Sequence, residues 1–140
     1  MKRPEIGVSI ILMKENKVLM GKRKNSHGNG TWSFPGGHLK MFENLRYCAL
    51  RELEEETGFR QNRHHYLMDF SPCVLTEDFF EEEKKHYLTH YFRAKHINGA
   101  PRVMEPNKCD QWKWYEWNKM PSNLFLPIKN LKSKGYDPFR

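Results

Sequence analysis

Residues 37–59 read Gly-His-Leu-Lys-Met-Phe-Glu-Asn-Leu-Arg-Tyr-Cys-Ala-Leu-Arg-Glu-Leu-Glu-Glu-Glu-Thr-Gly-Phe. The preceding Pro35-Gly36-Gly37 breaks regular structure, because proline fixes φ and glycine tolerates angles other residues avoid. From Glu43 the residues are good helix formers, and Gly58 is a fitting stop. A loop therefore feeds a helix of about four turns. Leu45, Ala49 and Leu53 form an apolar stripe for packing on a core. Glu52, Glu55 and Glu56 stand at i, i+3 and i+4 on the adjoining face. Like charges at this spacing repel, and no lysine stands four residues away. The stripe is either a solvated acidic face or a site that lacks its cation. Carboxylate oxygens are hard ligands, suited to Mg²⁺ or Mn²⁺ rather than zinc.

Outward from this segment, the chain reads as one domain over residues 1–140, long enough for a sizeable core. Ile6 to Met13 reads as a buried strand, with Lys17 to Gly21 its partner across Glu15-Asn16. Asn25 to Gly30 reads as a flexible polar loop, and Thr31 to Phe34 alternates. His65 to Leu75 and Lys85 to Ala94 read as a hairpin pair, with the acidic tip at Glu81–Glu83 between them. Asn98 to Asp110 is a loop. Gln111 to Trp117 alternates strictly, the mark of a half-buried strand, and Leu124 to Lys134 has helical spacing. Strands mixed with two helices give an α/β layered domain.

Composition limits the function classes. No apolar run approaches the length of a membrane span. Three cysteines without Cys-x-x-Cys spacing read as reduced cytoplasmic thiols rather than a disulfide frame or a zinc site. The net charge of +7 favours an anionic partner. The basic residues are scattered, with no block of five, so a nucleotide is the expected partner ahead of nucleic acid. No phosphate-cradling G-x4-G-K-[ST] is present, which argues against a kinase or ATPase.

The pattern G-x5-E-x7-R-E-L-x-E-E-x-G-F resembles the Nudix box of hydrolases that cleave nucleoside diphosphates linked to another group. Gly37, Glu43, Arg51, Glu52, Glu55, Glu56 and Gly58 stand at its demanded positions. At roughly 7% usage each, a chance match has odds of about one in a million. Phe59 departs from the family's aliphatic last position but still fills an apolar slot. The resemblance implies a Nudix α/β/α sandwich with a mixed sheet. It implies Glu52 and Glu56 as metal ligands, Glu55 as ligand or outer partner, and the Gly37 carbonyl as a further ligand. It also implies that Arg51 holds the glutamates by charge-assisted bonds. Glu43 is explained by the helix N-terminal dipole, with catalysis as the rival role. Glu105, in Val-Met-Glu-Pro-Asn-Lys-Cys, is the candidate proton acceptor; otherwise it is an exposed loop glutamate.

Segments outside the box are similar to the MutT-like nucleoside triphosphate diphosphatases of the thiopurine-hydrolysing branch: Gly21–Lys24, Pro35–Leu39, Glu105–Cys109, Trp112–Trp114 and Gly135–Phe139. This places Lys22 and His38 near the phosphates, and Thr89 and Leu126 in the base pocket. The Phe125–Ile128 segment departs from the branch, which puts base preference in doubt. The expectation is a Mg²⁺-dependent (Mn²⁺-tolerant) conversion of (deoxy)nucleoside triphosphate to monophosphate and pyrophosphate, by a homodimer. The alternatives are an ADP-ribose or nucleotide-sugar pyrophosphatase, an RNA-processing enzyme, and a catalytically silent nucleotide-binding module.

Overall fold

A computed structural model of the chain describes residues 3–140. The strands are β1 (Glu5–Lys14), β2 (Lys17–Arg23), β3 (Trp32–Ser33), β4 (Gly36–His38), β5 (Tyr66–Met68), β6 (Val74–Phe80), β7 (Lys85–His96) and β8 (Cys109–Glu116). The helices are α1 (Leu45–Thr57) and α2 (Leu126–Ser133), with two short 3-10 turns. All strands join one mixed sheet. Its spine is the parallel pair β1–β7, running from Glu5↔Tyr87 to Met13↔Lys95. β1 also pairs antiparallel with β2 and β4, and β2 with β3 and β8.

The run Val8–Leu12 is apolar on both sides because both sides of the sheet are covered. Val8, Ile10 and Leu12 point to the core under α1, with Ala49, Leu53 and Phe92. Ile11 points to the core under α2, with Tyr91, Ile128 and Leu131. One helix on each face makes the expected α/β/α sandwich.

Three expectations need correction. The strand opposite Lys85 is not residues 65–75. Val74–Phe80 forms the antiparallel partner through Thr76↔Thr89 and Phe80↔Lys85, while the short β5 pairs with the far end of β7 at Tyr66↔His96. Charged Glu77 and Asp78 hid the alternation of β6, whose inward side carries Thr76, Asp78 and Phe80. Secondly, Glu43 does not open the helix. Asn44 is the N-cap, its side chain accepting from the Tyr47 amide at 2.8 Å. Gly58 closes the helix at φ 81°, in the left-handed region. Thirdly, the 25–30 loop is tied down: the Gly30 amide donates to the Arg23 carbonyl at 2.8 Å, and Arg23 Nε donates to the His27 carbonyl at 2.7 Å.

Candidate active site

The site forms where β4 and α1 meet. Gly36–His38 pair with β1, in register Ser9↔Gly36 and Val8↔Gly37. This close approach needs glycine. A Cβ on Gly36 would overlap the Val8 carbonyl oxygen, and one on Gly37 would overlap the Glu52 carboxylate. The strand thus lies directly against the acidic face of α1. The Gly36 amide donates to Glu56 Oε2 at 3.1 Å.

Arg51 is the hub of the carboxylates. Its Nε and Nη2 make a two-pronged bond to Glu43, at 2.6 and 3.0 Å. Its Nη1 reaches Glu52 Oε1 at 2.8 Å and Glu55 Oε1 at 3.1 Å, and Nη2 donates to the His38 carbonyl at 3.2 Å. The cation that the carboxylate stripe lacked on the lysine side is therefore supplied in part by this arginine. Hydrogen bonds from Arg51 hold Glu43 down to about 2. Glu43, nearly buried, is thereby an anchor for Arg51 rather than a helix opener.

Glu56 stands in the opposite condition. Burial, and then Glu52 beside it, push its carboxyl well above the usual range. Glu105 adds to this pressure. The loop after β7 brings Glu105 there by docking on the end of α1: the Arg102 amide donates to the Thr57 carbonyl at 2.9 Å, and the Met104 amide to the Glu56 carbonyl. These are helix-end carbonyls that have no partner inside the helix. Docking the loop satisfies them and delivers Glu105 to the cleft in the same step.

Glu52, Glu56, Glu105, Gly37, Lys22 and His38 all line one cleft of about 440 Å³, within the range of small-molecule sites. Glu55 and Arg51 do not line it; Glu55 is half-exposed on the far side of Arg51. Further cations line the same cleft, namely Arg23, Lys40, Lys85 and Lys108. The cleft opens into a second, more apolar pocket under Phe80, Tyr87, Thr89, Phe125 and Ile128. Leu126 is off this wall. It is the first residue of α2, and a turn of about 100° per residue carries the Phe125 and Ile128 side of the helix to the pocket instead.

Several of these residues escaped the sequence reading. Lys85 and Tyr87 precede Thr89 on β7 at period two, so the signal for them was present. Phe80 depends on the β6–β7 register. His27 depends on loop packing: its ring sits 4.0 Å from Phe80 and 5.4 Å from Phe125, with both nitrogens buried and without a hydrogen-bond partner. Burial, then the Lys85 and Arg23 charges, lower its pKa, so the imidazole is neutral at pH 7. Glu83 stands 3.1 Å from Nδ1, but without the alignment of a hydrogen bond.

A divalent cation fits this donor set. Among the described residues, no three His, Cys, Asp or Glu side chains form a finished cage. Two carboxylates facing a cleft suit an ion such as Mg²⁺, which keeps several waters and takes its other ligands from phosphates.

Residues 2–135 match the model of the NUDIX domain. The chain belongs to the Nudix family. The family's fold and its pyrophosphatase chemistry on nucleotides accordingly hold for it. A solved MutT NUDIX hydrolase from Burkholderia pseudomallei superposes with a TM-score of 0.80 at 22% identity, covering 91% of this chain and 95% of that one. The chain is 40% identical to an ADP-ribose pyrophosphatase of Methanocaldococcus jannaschii, over 92% of this chain and 72% of that protein. It is 27% identical to an oxidized purine nucleoside triphosphate hydrolase of Danio rerio, over 94% and 84%. It is 25% identical to an RNA pyrophosphohydrolase of Novosphingobium aromaticivorans, over 99% and 92%. No helix among the described residues is long and apolar enough to cross a membrane.

Proposed function

We propose that this Nudix enzyme hydrolyses (deoxy)nucleoside triphosphates to monophosphate and pyrophosphate with Mg²⁺. One observation supports the reading: an aromatic pocket opens directly into a cleft lined by Glu52 and Glu56 and by a surplus of cations. A base would enter between Phe80, Tyr87 and Phe125, where its apolar faces leave water. The phosphates would then extend over Gly37 toward Glu52 and Glu56. Lys22, Arg23, Lys40, Lys85 and Lys108 outnumber Glu52, Glu56 and Glu105 along the cleft. That balance favours the longer, more anionic triphosphate over a nucleotide-sugar, and the exclusion of water strengthens the attraction.

Glu52 and Glu56, with the Gly37 carbonyl, would hold the cation, which when bound neutralises phosphate oxygens and activates water. Arg51 bonds Glu52 Oε1 at 2.8 Å and so biases that carboxylate's position. Gly36 fixes Glu56 by its amide. Lys22 and His38 offer donors to the phosphates. Glu105 is the proton acceptor of this proposal, held beside Glu56 by the loop that caps α1.

ADP-ribose is the second reading, favoured by the 40% identity to the M. jannaschii protein. Product analysis separates the two. With a triphosphate, pyrophosphate should appear and orthophosphate should not, and excess EDTA should abolish turnover. Orthophosphate alone, or full activity in EDTA, contradicts the proposal.

A further inference from the structure

Asp78 has no solvent exposure, and among the described residues no arginine or lysine is bonded to it. It stands on β6 behind the apolar pocket, facing α2. Three neutral donors meet its carboxylate. Thr89 Oγ1 donates to Oδ2 at 2.5 Å, Thr76 Oγ1 reaches Oδ2 at 3.3 Å, and Asn130 Nδ2 donates to Oδ1 at 2.8 Å. The Tyr91 hydroxyl stands 2.9 Å from Thr76 Oγ1 and 3.0 Å from the Pro127 carbonyl, and its single proton serves one of the two. A threonine hydroxyl has a single proton, and in this geometry Thr89 directs its own to Asp78.

Thr89 is the one member of the network's Asp78 side that also lines the apolar pocket. Gly7 is its strand partner, and a Cβ there would stand 3.4 Å from Thr89 Oγ1. Glycine therefore leaves the hydroxyl open to the pocket. With its proton committed to Asp78, that oxygen shows the pocket only lone pairs.

We propose that Asp78 is a positioning residue that fixes Thr89 as a hydrogen-bond acceptor, so that the pocket selects bases presenting an N–H at that point. The proposal rests on the nucleotide-hydrolase reading above, with the base in the apolar pocket. A base that offers an acceptor there leaves two lone-pair groups facing each other out of reach of water, which is the costly case for a buried polar group.

Asp78→Asn tests the direction of the bond. Asn130 Nδ2 donates to Oδ1, so the new carbonyl settles on that side and the new NH₂ faces Thr89. The amide then donates to Thr89 Oγ1 and frees the hydroxyl proton for the pocket. The readout is the ratio of kcat/KM within pairs differing at one base edge: GTP against ITP for the 2-amino group, ATP against purine riboside triphosphate for the 6-amino group, and ITP against purine riboside triphosphate for N1–H. The wild type should prefer the donor-bearing member of at least one pair by about tenfold. In Asp78→Asn the same ratio should fall to unity or invert. A merely structural role for Asp78 lowers both members of a pair alike and leaves the ratio standing. Equal rates in all pairs for the wild type, or a preference that survives in Asp78→Asn, overturns the proposal. Should that variant not fold, Thr89→Val decides the matter: the preference must vanish there, and its survival overturns the proposal. If the enzyme turns over ADP-ribose but no triphosphate, the reading of the substrate fails, and the comparison of ATP with purine riboside triphosphate is run as ADP-ribose against its analogue lacking the 6-amino group.

Discussion

At the scale of single residues, the site is two carboxylates treated in opposite ways. Glu43 is given to Arg51, and Glu56 is left short of positive charge. The Arg51 bonds that hold Glu43 at about 2 make its contribution to stability complete above its ordinary 4.5, and that contribution is lost as pH falls toward 2. Acid titration followed by circular dichroism should show Glu43→Gln with a shallower loss of stability across that window than the wild type. Glu56 carries the reverse sign. Its raised pKa means that the metal-free fold retains a proton the unfolded chain gives up, so stability without metal declines as pH rises above 4.5. Cation binding must expel that proton. Calorimetric Mg²⁺ titrations over a pH series starting just above 4.5, in buffers of different ionisation enthalpy, should report proton release from the wild type and less from Glu56→Gln. The same variant should lose at least about a hundredfold in kcat, as when one stabilising group leaves a site. It should keep its fold, because the amide oxygen can still accept from Gly36. Near-normal kcat in the folded variant removes Glu56 from the metal site.

At the scale of elements, the pair Gly36-Gly37 divides stability from function. Alanine at 36 drives its methyl into the backbone of β1, at the Val8 oxygen and 2.9 Å from Ser9 Cα, where nothing can yield without breaking the β1–β4 pairing. Alanine at 37 meets only the end of the Glu52 side chain, which can move. Gly36→Ala should lower Tm by several degrees, while Gly37→Ala should keep most of its Tm and lose Mg²⁺ affinity. Equal behaviour of the two would contradict this placement. Leu53, fully buried between α1 and the sheet, should cost about 2–5 kcal/mol on truncation to alanine, measured by urea unfolding. α1 and its acidic face were legible from the sequence because helix period, stop glycine and carboxylate spacing are all local. The partner of Arg51 in Glu43, eight residues back, was not, since it depends on how the loop re-enters the helix. The β6 strand escaped because its buried side holds Thr76 and Asp78, polar residues that are comfortable only inside their own network. His27 and Phe125 meet through contacts about a hundred residues apart, which no periodicity records.

At the scale of the whole molecule, the sheet gathers three distant segments around one cleft: the β2 end with Lys22 and Arg23, the β7 start with Lys85 and Tyr87, and the loop carrying Glu105 and Lys108. A net charge of +7 thereby becomes a local field over the place where phosphates would lie. Steering by that field should weaken with salt, so kcat/KM for a triphosphate should fall between low and physiological ionic strength more steeply than for ADP-ribose. The exposed Met41, Phe42 and Tyr47 at the start of α1 leave an apolar surface that supports the proposed homodimer. Sedimentation at micromolar concentration should give twice the 16.9 kDa of one chain, and a mass near 16.9 kDa refutes it. The most direct test of the central claim is kcat/KM for a panel of nucleoside triphosphates against ADP-ribose, with Mg²⁺ present and the released phosphate identified. At least one triphosphate should exceed ADP-ribose and yield pyrophosphate; an ADP-ribose value above every triphosphate would contradict the account.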